Sequence, residues 1–371
     1  MVLAGCNRNE LRIRTFRCPD DSTGDGITLK EYVENTMKRR LLASLLATLV
    51  SAGSAATATA AESRSFCVWD PLGASGPYAS HMKDIRVEAL AAGFDLQIKP
   101  YTDEAIAAND FRAGQCDAVL LTDIAAHKFN KFTGSLVALG AIPTDEDLKV
   151  LLQTLAQPKA ASLMVHGDYE VAGIFPAGGI YVYTRDRKIH SVDTIQGKKI
   201  ATFDYDPSSV TMVRHVGASP VLATTSNFAG MFNNGSVDVA YAPALAYKPM
   251  EMYKGVEPNG GVYNYKFAQM THQMVVHRAK FTPEFTQKTR EIFFNRFDKF
   301  MDQVKAAEAD IPANYWIQPT KEDGSGFDSM LRGVRVALKD EGHYDPRTLN
   351  LMLKVRCKHN PTRAECAAGT E

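Results

Sequence analysis

The stretch "WDPLGASGPY" (residues 69–78) sets an aromatic ring, a carboxylate, two glycines and a serine between an apolar run and a helical one. Glycine permits positive φ and close backbone approach, which applies to Gly73 and Gly76. Ser75 and backbone N–H groups ahead of a helix can hold an anion or a polar group. Trp69 offers a flat stacking face. A plain strand–helix turn, with a capping serine and a core tryptophan, explains the same residues. "FDYDPSSV" (203–210) is a second junction of this kind. Asp206 reads as an N-cap and Pro207 as the first helical residue. Ser208 and Ser209 then either face a ligand or satisfy helix N–H groups.

In open α/β sheets, ligands meet the loops at the carboxyl ends of the strands. That rule selects Trp69, Asp70, Ser75, Tyr78, Thr122 and Asp123 in the first half of the chain. In the second half it selects Tyr183, Asp204, Ser208, Ser209, Asn227 and Tyr241. Tyr241 reads equally well as a core residue. Arg185 is a candidate clamp for an acidic ligand, or a surface charge beside Asp186 and Arg187. A convergence of Asp70, Asp123 and Asp204 as acid and base groups is the enzymatic alternative. The sequence has no Gly-x-Ser-x-Gly elbow and no phosphate-binding glycine loop. Its histidines and cysteines lack metal-ligand spacing. No catalytic residue, metal or cofactor is expected.

The elements that position these residues alternate. "SFCVWD", "DLQIKPY" and "CDAVLLT" read as strands, with helices at "YASHMKDIRVEALAAG" and "DEAIAANDFRAG" between them. Asp103 is the expected N-cap and Gly114 the stop of the second helix. The pattern resumes with strands at 178–184, 198–203, 219–224 and 237–243 and helices at 191–197, 207–217 and 226–235. Long helices are expected over 283–309 and 326–341. This is an α/β chain of two lobes, each a doubly wound, mostly parallel sheet flanked by helices. An internal echo supports two lobes. "FRAGQCDAVLLTDIAA" and "FNNGSVDVAYAPALAY" share Phe-x-x-Gly-x-x-Asp, an apolar strand and an Ala-rich segment.

"MKRRLLASLLATLVSAGSAATATA" (37–60) has the basic start, short apolar run and small-residue end of an export signal. Met37 then reads as the true start, and residues 1–36 as a non-native or disordered extension. Beyond the signal lie Cys67, Cys116, Cys357 and Cys366, an even count in an oxidising compartment. Cys357 and Cys366 close a short polar loop. Cys67 and Cys116 can pair if their strands are neighbours; otherwise they are buried thiols. Lys and Arg total 42 against 42 Asp and Glu, which gives no reason to expect nucleic acid.

The stretch from Val192 to Pro243 resembles the second lobe of periplasmic solute-binding proteins, most closely the TRAP-type receptors. The shared motifs are Gly197-Lys198-Lys199-Ile200, Gly217-Ala218-Ser219-Pro220-Val221 and Gly235-Ser236-Val237-Asp238. The resemblance implies a type II two-lobe fold. It places lobe 1 at 61–175, lobe 2 at 176–245, a return to lobe 1 with C-terminal helices at 246–345, and a disulfide-closed tail at 346–371. Hinges are expected near 170–180 and 242–268. It implies a periplasmic monomer that captures a small polar ligand and hands it to membrane transporter subunits. A secreted enzyme and a periplasmic sensor domain are the alternatives on the same scaffold. TRAP receptors carry a ligand-clamping arginine two positions after the Lys-Ile pair; here Ala201-Thr202-Phe203 follow Ile200.

Overall fold

The computed structural model describes residues 61–369 and Glu371. The expected signal and the extension before it, with Cys6 and Cys18, lie outside the described residues. The chain begins with β1 (Glu62–Trp69), α1 (Pro77–Ala91), β2 (Phe94–Tyr101), α2 (Glu104–Arg112) and β3 (Ala118–Thr122). There follow α3 (Asp145–Ala156), β4 (Val165–His166), β5 (Tyr169–Thr184), β6 (Lys199–Phe203), α4 (Pro207–His215) and β7 (Ser219–Ala223). Next come α5 (Phe228–Asn233), β8 (Val239–Pro243), β9 (Gly261–Tyr263), β10 (Ala268–His277), α6 (Pro283–Asn295) and α7 (Phe297–Ala309). The chain closes with β11 (Trp316–Ile317), α8 (Lys321–Asp340), α9 (Pro346–His359) and α10 (Ala364–Ala368). Among the described residues, no helix is long and apolar enough to cross a membrane.

The strands form one sheet in the order β2-β1-β3-β10-β5-β8-β6-β7. The flanks are parallel, as expected: β1 with β2 and β3, and β6 with β7 and β8. The middle is antiparallel, at β3–β10, β10–β5 and β5–β8. Separate sheets for the two halves are therefore not what forms. β5 is 16 residues long and serves both halves. Tyr169 to Ile180 pair with β10, while Ile180 to Thr184 pair with β8. The expected strand at 178–184 is only its second part, and the expected boundary at 175/176 falls inside it. The β5–β10 register slips beside Met270 and Thr271, opposite Gly178, whose φ is +92°.

Other departures have local causes. "SVDTIQG" is a series of turns, because the Thr194 hydroxyl accepts the His190 and Ser191 N–H groups at 2.9 Å. Such side-chain bonds compete with helix formation. The long helix over 283–309 is broken at Arg296 into α6 and α7. α8 starts earlier than expected, at a capping box between Thr320 and Asp323. α3, capped by Thr144, had no counterpart in the sequence reading.

The echoed motifs occupy equivalent places. Phe111 and Phe232 are fully buried, and Gly114 and Gly235 have φ of +75° and +83°. Asp117 then accepts the Ser65 N–H at 2.8 Å, and Asp238 accepts the Lys199 N–H at 2.8 Å. Each aspartate fastens its own strand to the start of the neighbouring one. Cys67 on β1 pairs with Cys116 ahead of β3 (Cα–Cα 5.9 Å), and Cys357 with Cys366 (5.5 Å).

Candidate functional site

The carboxyl ends of the strands open on a cleft of about 630 Å³, counted out to its solvent-filled mouth. The first half contributes Trp69, Tyr78, Glu104 and Thr122. The second contributes Phe203, Tyr205, Phe228 and Tyr241, with aliphatic Leu245 and Met250. Ile180 of β5, the shared strand, and Met270 of the adjoining β10 also line it. Among the described residues no lysine, arginine or histidine does.

Four of the twelve expected ligand residues meet here: Trp69, Tyr78, Thr122 and Tyr241. Trp69 stacks at 6.1 Å from Tyr78 and at 5.7 Å from His272. Its indole N–H has no partner among the described residues, and neither has the Tyr241 hydroxyl. Thr122 caps the following short helix through the Ala125 N–H.

The two strand–helix junctions singled out in the sequence are both capped by the protein's own carboxylates, at Asp206 as expected. Asp70 accepts N–H groups from Leu72, Tyr78 and Ala79 at 2.8–3.0 Å. Gly76 packs so closely on this carboxylate that a Cβ would fall 1.8 Å from it. Burial raises the Asp70 carboxyl above its ordinary range, against the pull of these bonds. Asp206 accepts the Ser208 and Ser209 N–H groups at 3.1 and 3.3 Å. Burial raises its carboxyl as well. The anion-holding character of a free N-terminus is thereby spent inside the fold.

The remaining expected residues do other things. Ser75 is exposed, and its hydroxyl donates to the Leu72 carbonyl. Asp123 is fully buried and accepts both the Thr271 N–H and hydroxyl at 2.9 Å. Tyr183 is fully buried, 6.4 Å from the Tyr247 ring. Asp204 and Asn227 are exposed; Asn227 accepts the Thr224 N–H, and the adjoining Phe228 lines the cleft instead. Ser208 and Ser209 are buried outside this cleft, with Ser208 bonded to His343 at 3.0 Å. Asp70, Asp123 and Asp204 do not converge: the first two are bonded at different places in the fold, and Asp204 is exposed. Arg185 donates to the Phe232 and Asn233 carbonyls at the end of α5. Thr202, where a TRAP clamp arginine would stand, is fully buried in β6.

Glu104 was missed. It lies in the first turn of α2 behind the N-cap Asp103, where an acidic residue is explained by the helix dipole alone. A signal was nonetheless present: Glu104, Ala107, Ala108 and Phe111 share the buried face of α2 at helical spacing. Its side chain is 1% exposed. One oxygen accepts the Thr122 N–H at 2.6 Å, and the other the Tyr205 hydroxyl at 3.0 Å. The second bond crosses the cleft between the halves. Burial raises the Glu104 carboxyl, opposed by these two bonds and by the charge of Lys128.

A family model described as solute-binding protein AdeT 1/2 matches residues 81–371. The chain is 36% identical over 304 residues to a probable solute-binding protein AdeT1 of Acinetobacter baumannii, covering 82% of this chain and all of that one. Among solved structures, a TRAP periplasmic solute-binding protein from Desulfovibrio salexigens with bound orotic acid superposes with a TM-score of 0.67 at 11% identity. That match covers 81% of this chain and 99% of the other. A TRAP receptor from Ralstonia eutropha H16 with bound (S)-2-acetolactate gives 0.65 at 13% identity, over 79% and 99%. At such identities the structural likeness shows the fold.

Proposed function

Since the chain belongs to the solute-binding protein AdeT 1/2 family, we propose that it is an exported periplasmic receptor. It captures a small organic ligand between two lobes and delivers it to a membrane transporter. The observation that carries this reading is the cleft itself: both halves line it, and β5, the strand they share, runs past it beside β10. Structurally similar receptors bind small organic molecules, orotic acid in one and (S)-2-acetolactate in another. Lobe 1 is 61–175 with the return at 246–345, and lobe 2 is 176–245. The lobes close about β5 and β10, where the register slip beside Gly178 provides a bend.

The protein is a monomer without catalytic activity in this reading. The contact that comes nearest to catalysis, Ser208 with His343, has no carboxylate bonded to the histidine among the described residues. Calorimetric titration against a metabolite panel, with product analysis of each mixture, tests the proposal. Saturable one-to-one binding without product supports it. Turnover of any bound compound overturns it.

A further inference from the structure

We propose that the ligand is an organic cation, an amine or quaternary ammonium on an apolar body, held by an aromatic box that closes on Glu104. This rests on the receptor reading and goes beyond it to the ligand's charge.

Three observations carry it. The first is the box. From the second half, Phe203 stacks parallel on Tyr205 at 5.5 Å and meets Phe228 edge-on at 5.6 Å. Trp69 and Tyr78 face them from the first half. The faces of such rings are electron-rich and attract cations, tryptophan most strongly.

The second is Glu104. Both of its oxygens accept hydrogen bonds, from the Thr122 N–H and the Tyr205 hydroxyl. Each carboxylate oxygen has a second acceptor position. The residue is almost completely buried, and it stays ionised there only with a counter-charge beside it. Among the described residues the cleft lining contains none. Lys128 acts on Glu104 through space from an exposed position, outside the lining.

The third is that the loop and the arginine expected to hold an anion are engaged within the fold. Asp70 and Asp206 fill the N-termini of α1 and α4. Arg185 is tied to carbonyls at the end of α5, and position 202 holds a buried threonine. An acidic ligand would meet Glu104 with no lysine, arginine or histidine among the described lining residues to offset the repulsion. A cation would find a counter-ion and rings.

The test is calorimetric titration of the full-length chain with three benzyl probes of differing charge: benzyltrimethylammonium, benzyl alcohol and benzoate. The expected result is cation binding at least tenfold tighter than benzyl alcohol, with benzoate weakest. Glu104→Gln should reduce the cation's advantage to less than threefold while benzyl alcohol binding persists. Phe203→Leu, which keeps the carboxylate and removes one ring, should weaken the cation more than the alcohol; it carries the test if Glu104→Gln fails to fold. Benzoate or benzyl alcohol binding as tightly as the cation overturns the charge assignment and leaves the receptor reading standing, because a ligand still enters the cleft. A Glu104→Gln protein that keeps the full cation preference overturns it likewise. Absence of binding by all three probes also overturns it, and the receptor reading is then judged separately on the metabolite panel.

Discussion

The two halves of this protein are built on one plan and diverge at the cleft between them. Each fastens its third strand in sequence to its first through an aspartate, Asp117 or Asp238, placed three residues after a helix-ending glycine. Each caps the helix after its first strand with a buried aspartate, Asp70 or Asp206. The cleft faces differ. The first half supplies the carboxylate of Glu104 beside Trp69 and Tyr78, and the second supplies Phe203, Phe228 and Leu245 with no carboxylate among the described lining residues. The two halves share their bonding at both ends of the strands and differ in the side chains they turn to the cleft.

The sharpest way to break the comparison is to remove both caps in turn. Asp70→Ala and Asp206→Ala each delete a cap and leave buried N–H groups unpaired, so each should cost about 2–3 kcal/mol. Asp70→Ala should cost more, because Asp70 holds three N–H groups. Denaturant melts of the two variants check this, and a large inequality in the other direction would break the equivalence. Gly178→Ala addresses the strand that both halves share. Its φ of +92° is strained for alanine, and a Cβ would lie 2.5 Å from Val304 Cγ1. A loss of about 2 kcal/mol is expected from strain and overpacking together, read by the same melts.

Acid should act on the first half through His272. Burial first, and His81 second, lower its pKa from 6.5 to about 3. A group whose folded pKa is lowered contributes stability above its unfolded pKa and loses it as pH falls. The window therefore runs from pH 6.5 down to about 3, at about 1.4 kcal/mol per pH unit. His272→Phe should flatten the fall in melting temperature across that window, and an unchanged slope would refute the assignment. The smallest effects are expected at the strand fasteners. Asp117→Ala and Asp238→Ala should each cost about 1 kcal/mol, with Asp117 the more costly because the Ser65 hydroxyl also donates to it.

The scaffold was largely legible in the sequence, because its signals are local. Helix caps such as Asp103 and Asp206, stops such as Gly114, and the Phe-x-x-Gly-x-x-Asp echo all act within a few residues. The single sheet was not legible. The reversal of β10 and the dual service of β5 depend on pairings far apart in sequence. The cleft was legible in part. The strand-end rule reached Trp69, Tyr78, Thr122 and Tyr241, whose backbones lie at those ends. It misread Asp70 because a carboxylate beside a helix start can serve the helix or a ligand, and only the fold shows which. It missed Glu104 because the rule looks at loops, and this residue reaches the cleft from the first turn of a helix.

The central claim is that a small molecule resides between the two halves. Mass spectrometry of compounds extracted from natively purified protein tests it directly, with the wild type set beside Phe203→Arg, which fills the cleft with a cationic side chain. The account predicts a stoichiometric small molecule in the wild type and its loss from a variant that still melts cooperatively. The same molecule retained in full by Phe203→Arg would contradict it.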